Sequence, residues 1–258
     1  MVNEAVSSDD LLTAARLVKE HSGKVLAFTG AGASAEAGIP TFRGKDGLWN
    51  KYRPEELATP RAFESNPKRV WEWYKWRMSI IARAEPTWAH RVMADWEREG
   101  ILMGIVTQNV DGLHQRAGSE LVIELHGSIW RTRCTRCGKR FDLGFGNIPE
   151  DDLPRCRECG GLLRPDVVWF EEPVPMDQFE RAERLFSDAE VVIVVGTSGV
   201  VMPAALLPIN AARQGKILVE VNPEETNLSS LATIRLRGPA GEIFRELARL
   251  MEEDPSWR

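Results

Sequence analysis

Short aliphatic runs alternate along the chain with longer stretches whose apolar residues recur every three or four positions. Four runs lack clean polar alternation: 24–28, 101–107, Val191–Val195 and Ile217–Val221. Strands covered on both faces read this way, because neither face meets water. Helical patterns lie between them. Ser8–Glu20 opens on a Ser/Asp cap and gathers Leu11, Leu12, Ala15, Leu17 and Val18 on an apolar face. Further helices are predicted over 86–99, 177–187, 202–214 and 241–251. Strand alternating with helix predicts an α/β fold built on a doubly wound parallel sheet.

Two stretches break the alternation. Residues 45–81 are rich in aromatic side chains and mostly helical in pattern, whereas 131–165 hold all four cysteines among Gly, Pro and charge. Both are expected to be insertions that form a smaller lobe. The main domain would then comprise 1–44, 84–130 and 166–258, with a helical insertion at 45–83 and a metal-binding insertion at 131–165.

A chain of 258 residues with 43% apolar and 28% charged side chains has globular proportions and length enough for a full core. Its 33 basic and 38 acidic residues leave a net charge of −5. That argues against nucleic acid as the main partner, since phosphate binding is driven by clustered positive charge. Met1-Val2-Asn3-Glu4-Ala5 lacks a basic segment followed by an apolar one, so no leader is expected. No apolar run approaches about 18 residues, so no membrane span is expected. A cytoplasmic location is the expectation, and reduced thiols there favour metal over disulfides.

The first strand runs into Gly30-Ala31-Gly32-Ala33-Ser34-Ala35, which fits G-x-G-x-x-A. Such a turn can bring backbone N–H groups to a pyrophosphate, although an ordinary glycine turn also reads this way. A dehydrogenase would carry an acidic residue about 20 positions on. Here the chain reads Gly38-Ile39-Pro40-Thr41-Phe42-Arg43-Gly44, with no second strand near that distance. After the 101–107 strand comes Gln108-Asn109-Val110-Asp111-Gly112-Leu113-His114. Amides and an acid at a strand's carboxyl end could bind a carboxamide and a sugar, or form a plain polar loop. His126 ends an apolar run and is open to two readings, core residue or general base. His21 and His90 read as surface or helix residues, and His114 as structural, bonded within its loop.

The cysteine spacing is more specific. Cys134-x2-Cys137 is followed after eighteen residues by Cys156-x2-Cys159, each pair with a nearby glycine. This is the spacing of a four-thiolate zinc site. Four thiolates fill the tetrahedral shell and leave no position for water, so the zinc is expected to be structural.

These pieces, with Gly196-Thr197-Ser198 and Val221-Asn222 in the same order, resemble the sirtuin family of NAD-dependent protein lysine deacylases over about 26–241. The resemblance implies a Rossmann-like domain, NAD as co-substrate, one structural zinc, and acylated lysine side chains of proteins as substrates. It implies that His126 is the general base for a ribose hydroxyl, that Asn109 and Gln108 contact that ribose, and that Asp111 holds the carboxamide. Gly30, Ala31, Gly32 and Ser34 would meet phosphates. Glu36, Thr41, Phe42, Arg43 and Trp49 would belong to the cofactor loop and its surroundings. Gly196, Thr197 and Ser198 would meet phosphate and ribose, and Asn222, Pro223, Glu224 and Ala240 the adenosine. The products would be nicotinamide and O-acyl-ADP-ribose. Mono-ADP-ribosyl transfer uses the same cleaved bond and is the alternative enzyme. A non-catalytic zinc-ribbon module is a further alternative, opposed by the intact Asn109, Asp111 and His126.

Val70, Trp73, Tyr74, Arg77, Ile80 and Ile81 form one helical stripe, with Tyr74 and Arg77 three apart. By residue type alone, a snorkelling arginine beside a core tyrosine is an open reading. Within the resembled family, Tyr-x-x-Arg marks the class that accepts succinyl- and malonyl-lysine. Arg77 would pair with the distal carboxylate, Tyr74 would hydrogen-bond it, and Ala58 would leave room. Val167, Val168 and Phe170 would contact the substrate. The chain departs from the family at Val167-Val168-Trp169-Phe170-Glu171-Glu172, where Glu171 replaces the usual glycine. A positive φ there would strain a glutamate, and its charge is expected to disfavour acidic peptides.

Overall fold

The computed structural model describes residues 7–253, so the leader expectation at Met1 to Ala5 lies outside the described residues. The strands are β1 (Val25–Thr29), β2 (Leu102–Thr107), β3 (Val122–Glu124), β4 (Gly127–Cys134), β5 (Arg140–Asp142), β6 (Leu163–Val167), β7 (Val191–Val195), β8 (Ile217–Val221) and β9 (Ile234–Leu236). The α-helices are α1 (Ser8–Glu20), α2 (Pro54–Leu57), α3 (Pro60–Ser65), α4 (Pro67–Ile81), α5 (Trp88–Arg98), α6 (Leu113–Ala117), α7 (Met176–Asp188), α8 (Leu206–Arg213) and α9 (Ala240–Glu253).

Six strands form one parallel sheet in the order β3-β2-β1-β7-β8-β9. Successive side chains of a strand point to opposite faces. Accordingly Val25 and Ala27 enter a core with Met93, Trp96, Phe244 and Leu247 of α5 and α9. Leu26 and Phe28 enter a second core with Phe186 and Leu207 of α7 and α8. Both faces being covered explains why β1 and β7 are buried throughout. The chain leaves β1 toward β2 on one side and reaches β7 on the other. The reversal opens a crevice at the carboxyl ends of these strands, where doubly wound folds place their ligands.

The smaller sheet is antiparallel, in the order β5-β4-β6. It runs beyond 131–165 at both ends, since β4 starts at Gly127 and β6 ends at Val167. The insertion helices share a core with it: Phe63, Trp71, Trp73, Tyr74 and Met78 pack with Ile129, Trp130, Val167 and Trp169.

Two details differ from the sequence pattern. The 202–214 helix begins only at Leu206, after turns at 202–205. Pro203 carries no N–H to continue a backbone ladder. β3 and β9 form the edges of the large sheet, and β9, Ile-Arg-Leu, has no apolar run to announce it. No helix among the described residues is long and apolar enough to cross a membrane.

Candidate active site

One cavity of about 750 Å³ opens at the crevice between the large sheet and the smaller lobe. It collects residues from each of the segments, other than the cysteine pairs, that were read as NAD or substrate contacts. Gly30, Ala31, Gly32, Ser34 and Glu36 line one stretch of it, and Thr41, Phe42, Arg43 and Trp49 another. Gln108, Asn109, Asp111 and His126 line its polar part. Gly196, Thr197 and Ser198 follow β7, and Asn222, Pro223, Glu224 and Ala240 lie toward β8 and α9. Ala58, Tyr74, Arg77, Val167, Val168 and Phe170 complete the wall on the smaller lobe.

Gly30 and Gly32 are needed where the loops after β1 and β7 touch. A Cβ on Gly30 would fall 2.8 Å from the Gly196 carbonyl oxygen, and one on Gly32 would fall 2.6 Å from Gly196 Cα. The following segment is a 3-10 helix over Ala31–Ala37. Gly32 N–H donates to Gly196 O at 2.9 Å and Ala33 N–H to Gly30 O at 3.0 Å. Those two donors, expected to face a phosphate, are spent within the protein, and the glycines serve close packing of the two loops. Glu36 likewise turns its carboxylate to the backbone: it accepts from Gly241 N–H. A carboxylate there meets the positive end of α9.

The polar part is tightly tied. Asn109 N–H donates to Thr107 Oγ1 at 3.0 Å, and its side-chain amide donates to Gly30 O at 2.9 Å. Asp111 accepts from Ser34 Oγ at 2.8 Å and from Leu113 N–H at 2.9 Å. Gln108 Nε2 donates to Thr197 Oγ1 at 2.9 Å, linking the loops after β2 and β7. His126 places Nδ1 3.2 Å from Gln108 O. A carbonyl only accepts, so Nδ1 carries the proton and Nε2 keeps its lone pair. Burial pushes the His126 pKa down, partly opposed by the Gln108 carbonyl, and the ring is neutral at pH 7.

His90 lies on a helix, as one of its two readings had it, and is fully buried on α5. Thr87 N–H donates to its Nδ1 at 3.1 Å, which leaves the proton on Nε2, 3.3 Å from Ser34 Oγ. The order Thr87, His90, Ser34, Asp111 is a relay of donors behind the polar part of the cavity. Sequence reasoning missed this role for His90. Its local signal was the helix cap, since Thr87 and His90 form a reciprocal capping box. His114 bonds not within its loop but to Thr29 Oγ1 of β1, at 2.9 Å.

On the other wall, Trp169 Nε1 donates to the Tyr74 hydroxyl at 2.9 Å. The Arg77 guanidinium is buried between rings, 4.8 Å from the Phe42 centroid and 4.9 Å from that of Trp73. Among the described residues it makes no ion pair. Burial pushes its pKa down, while Tyr74 and Asp111 pull it back up. Val168 N–H donates to His126 O at 2.9 Å, and Val167 O accepts from Arg164 Nη2 at 2.8 Å. Val168 N–H is thus spent within the protein, whereas Val167 O keeps a second lone pair. The φ of Glu171 is 71°, in the region that favours glycine.

Apart from the cavity, the Sγ atoms of Cys134, Cys137, Cys156 and Cys159 lie within 4.8 Å of one another. Cys134 and Cys159 are 3.5 Å apart, and Cys137 and Cys156 3.7 Å. Four thiolates about 2.3 Å from a zinc ion would sit roughly 3.8 Å apart, so the cluster fits a closed tetrahedral site. None of the four lines the cavity.

The Sir2 family model matches residues 30–203. An NAD-dependent protein deacylase 2 of Pyrobaculum aerophilum is 54% identical over 227 residues, covering 88% of this chain and 89% of that protein. A mutant Sir2 homologue in complex with ADP-ribose matches with a TM-score of 0.89 at 51% identity, over 94% of this chain and 98% of that one. A Sir2 homologue–NAD complex matches with a TM-score of 0.88 at 49% identity, over 98% and 97%. With most of its length inside the family model and such similarity nearly from end to end, the chain belongs to the Sir2 family.

Proposed function

We propose that this chain, an NAD-dependent protein deacylase, removes succinyl and malonyl groups as well as acetyl groups from lysine, yielding nicotinamide and O-acyl-ADP-ribose. NAD, when bound, supplies an electrophilic ribose carbon and a leaving nicotinamide. The protein's part is to orient and to move a proton. Asp111, fixed by Ser34 and Leu113, offers its remaining acceptor sites to the carboxamide and so sets the leaving group's angle. Asn109 has its amide N–H on Gly30 O, so its amide oxygen is the group left for a ribose hydroxyl. His126 takes the hydroxyl proton at Nε2, and its Nδ1–H bond to Gln108 O stabilises the imidazolium that results.

Arg77 is the observation that carries the acyl-group assignment. A buried guanidinium without an anionic partner is costly, and ring faces offset only part of that cost. A carboxylate at the end of the acyl chain supplies the missing charge. The Tyr74 hydroxyl already accepts from Trp169, so its own proton is available to the same carboxylate. The test compares kcat/KM on one peptide carrying acetyl-, succinyl- or malonyl-lysine, for the wild type and Arg77→Met. A lost charge-assisted hydrogen bond of about 1.5–3 kcal/mol predicts a 10- to 150-fold fall for the acidic acyl groups. Acetyl-lysine has no distal carboxylate, and its kcat/KM stays level or rises. Equal losses on all three substrates would withdraw the assignment.

A further inference from the structure

We propose that Glu171 and Arg61 form a clasp at the cavity lip that reads the charge of the peptide beside the acyl-lysine, favouring basic neighbours over acidic ones. The proposal rests on the protein-deacylase reading and adds a preference within it. Among the described residues, Glu171 is the one non-glycine residue with a left-handed φ, 71°. A side chain persists in that conformation only where its surroundings over-determine it, and such outliers gather at functional sites.

The surroundings here fix the turn through its backbone. Phe170 N–H donates to Ala58 O at 3.0 Å, and Glu172 N–H to Trp169 O at 3.1 Å, closing the turn. On the outer side Arg61 of α3 grips the Glu171 carboxylate with two nitrogens, Nε at 3.2 Å from Oε2 and Nη2 against Oε1.

The neighbouring charges make Glu171 the one that a peptide meets. Glu172 is neutralised from within: Arg164 Nη1 and Nη2 reach its oxygens at 2.6 and 2.9 Å, and the Arg164 side chain is 8% exposed. Glu171 is 46% exposed and lines the same cavity as His126, Tyr74 and Arg77. Arg61 is 75% exposed and does not line it. The carboxylate thus faces the substrate path while its partner stands behind it, toward solvent. A lysine or arginine flanking the acyl-lysine can share the carboxylate with Arg61, whereas an aspartate or glutamate meets it directly. An exposed pair holds its partners weakly, so the clasp can open without a large cost.

Fluorescence anisotropy tests this with two labelled succinyl-lysine peptides that differ only in a Lys or a Glu beside the modified residue. Binding needs no turnover, so the result is independent of nicotinamide release, which tests the deacylase reading itself. The wild type should bind the Lys-flanked peptide about two- to fivefold tighter, and the ratio should shrink as salt is raised. Glu171→Gln keeps the backbone demand and removes the charge, and its ratio should approach one. Arg61→Gln unmasks the carboxylate, and its ratio should exceed that of the wild type. An equal ratio in the wild type and Glu171→Gln, or a smaller one in Arg61→Gln, would overturn the proposal and leave the pair as a tie between α3 and the loop.

Discussion

The neighbours of His126 suit it to the proton transfer proposed above. The Gln108 carbonyl fixes the tautomer, and burial keeps the ring neutral. Replacing it by alanine removes the acceptor and leaves the loops around NAD tied by their own hydrogen bonds. His126→Ala should therefore lose about 10²–10⁴ in kcat while the Kd for NAD, measured by calorimetry, changes little. Near-normal turnover would remove His126 from the mechanism. The pH profile carries a sign as well. A base works while neutral, and its pKa lies below the ordinary 6.5. The acid limb of kcat/KM should fall off below pH 6.5, later on acidification than for an exposed imidazole. A limb centred above that value would mean that another group limits the rate.

The zinc module shows the same dependence at the scale of elements. Its own apolar cluster amounts to Cys134, Cys156 and Leu163, with Phe141 and Cys159 packed against them. The knuckle end of the β4–β6 sheet therefore has little apolar burial of its own, and we propose that zinc bound by the four thiolates supplies folding energy there. The strand β6 leads directly into 167–172, which line the cavity, so loosening the module reaches the substrate wall. Cys134→Ser should release zinc to a chromophoric chelator, lower the melting temperature and raise the KM for peptide. Retention of stoichiometric zinc at an unchanged melting temperature would refute the four-thiolate site.

At the scale of the whole molecule, two buried histidines bind separate elements together, His90 of α5 to Ser34 and His114 of α6 to Thr29 of β1. Burial lowers the His90 pKa to about 4, and His114 lies well below 6.5 for the same reason with His90 adding to it. In the unfolded chain both titrate near 6.5. Below that pH the unfolded state binds protons that the native state refuses, so stability falls as pH drops from 6.5 toward 4. At pH 5, His90 alone should cost about 2 kcal/mol relative to neutral pH. Urea melts at pH 7 and 5 should show a lower midpoint at the acid end. An unchanged midpoint would mean that these rings take up protons inside the fold.

Much of this molecule follows from local sequence. The aliphatic run of β7 and the largely aliphatic run of β8 match those strands to the residue, because strands buried on both faces need apolar side chains at nearly every position. The spacing of Cys134, Cys137, Cys156 and Cys159 already pointed to the four-thiol cluster that the fold forms, since a knuckle is a short-range object. The candidate site residues were legible in sequence through the family's motifs, and the fold brings them to one cavity. What the tertiary structure decided are pairings between distant positions. His90 reaches Ser34 across 56 positions and Trp169 reaches Tyr74 across 95. The spending of the Gly32 N–H on Gly196 O belongs to the same class, as does the absence, among the described residues, of an ion pair to Arg77. Periodicity and residue type report which face of an element is apolar. They do not report which polar groups on other elements will meet that face, because packing of the whole chain sets those distances.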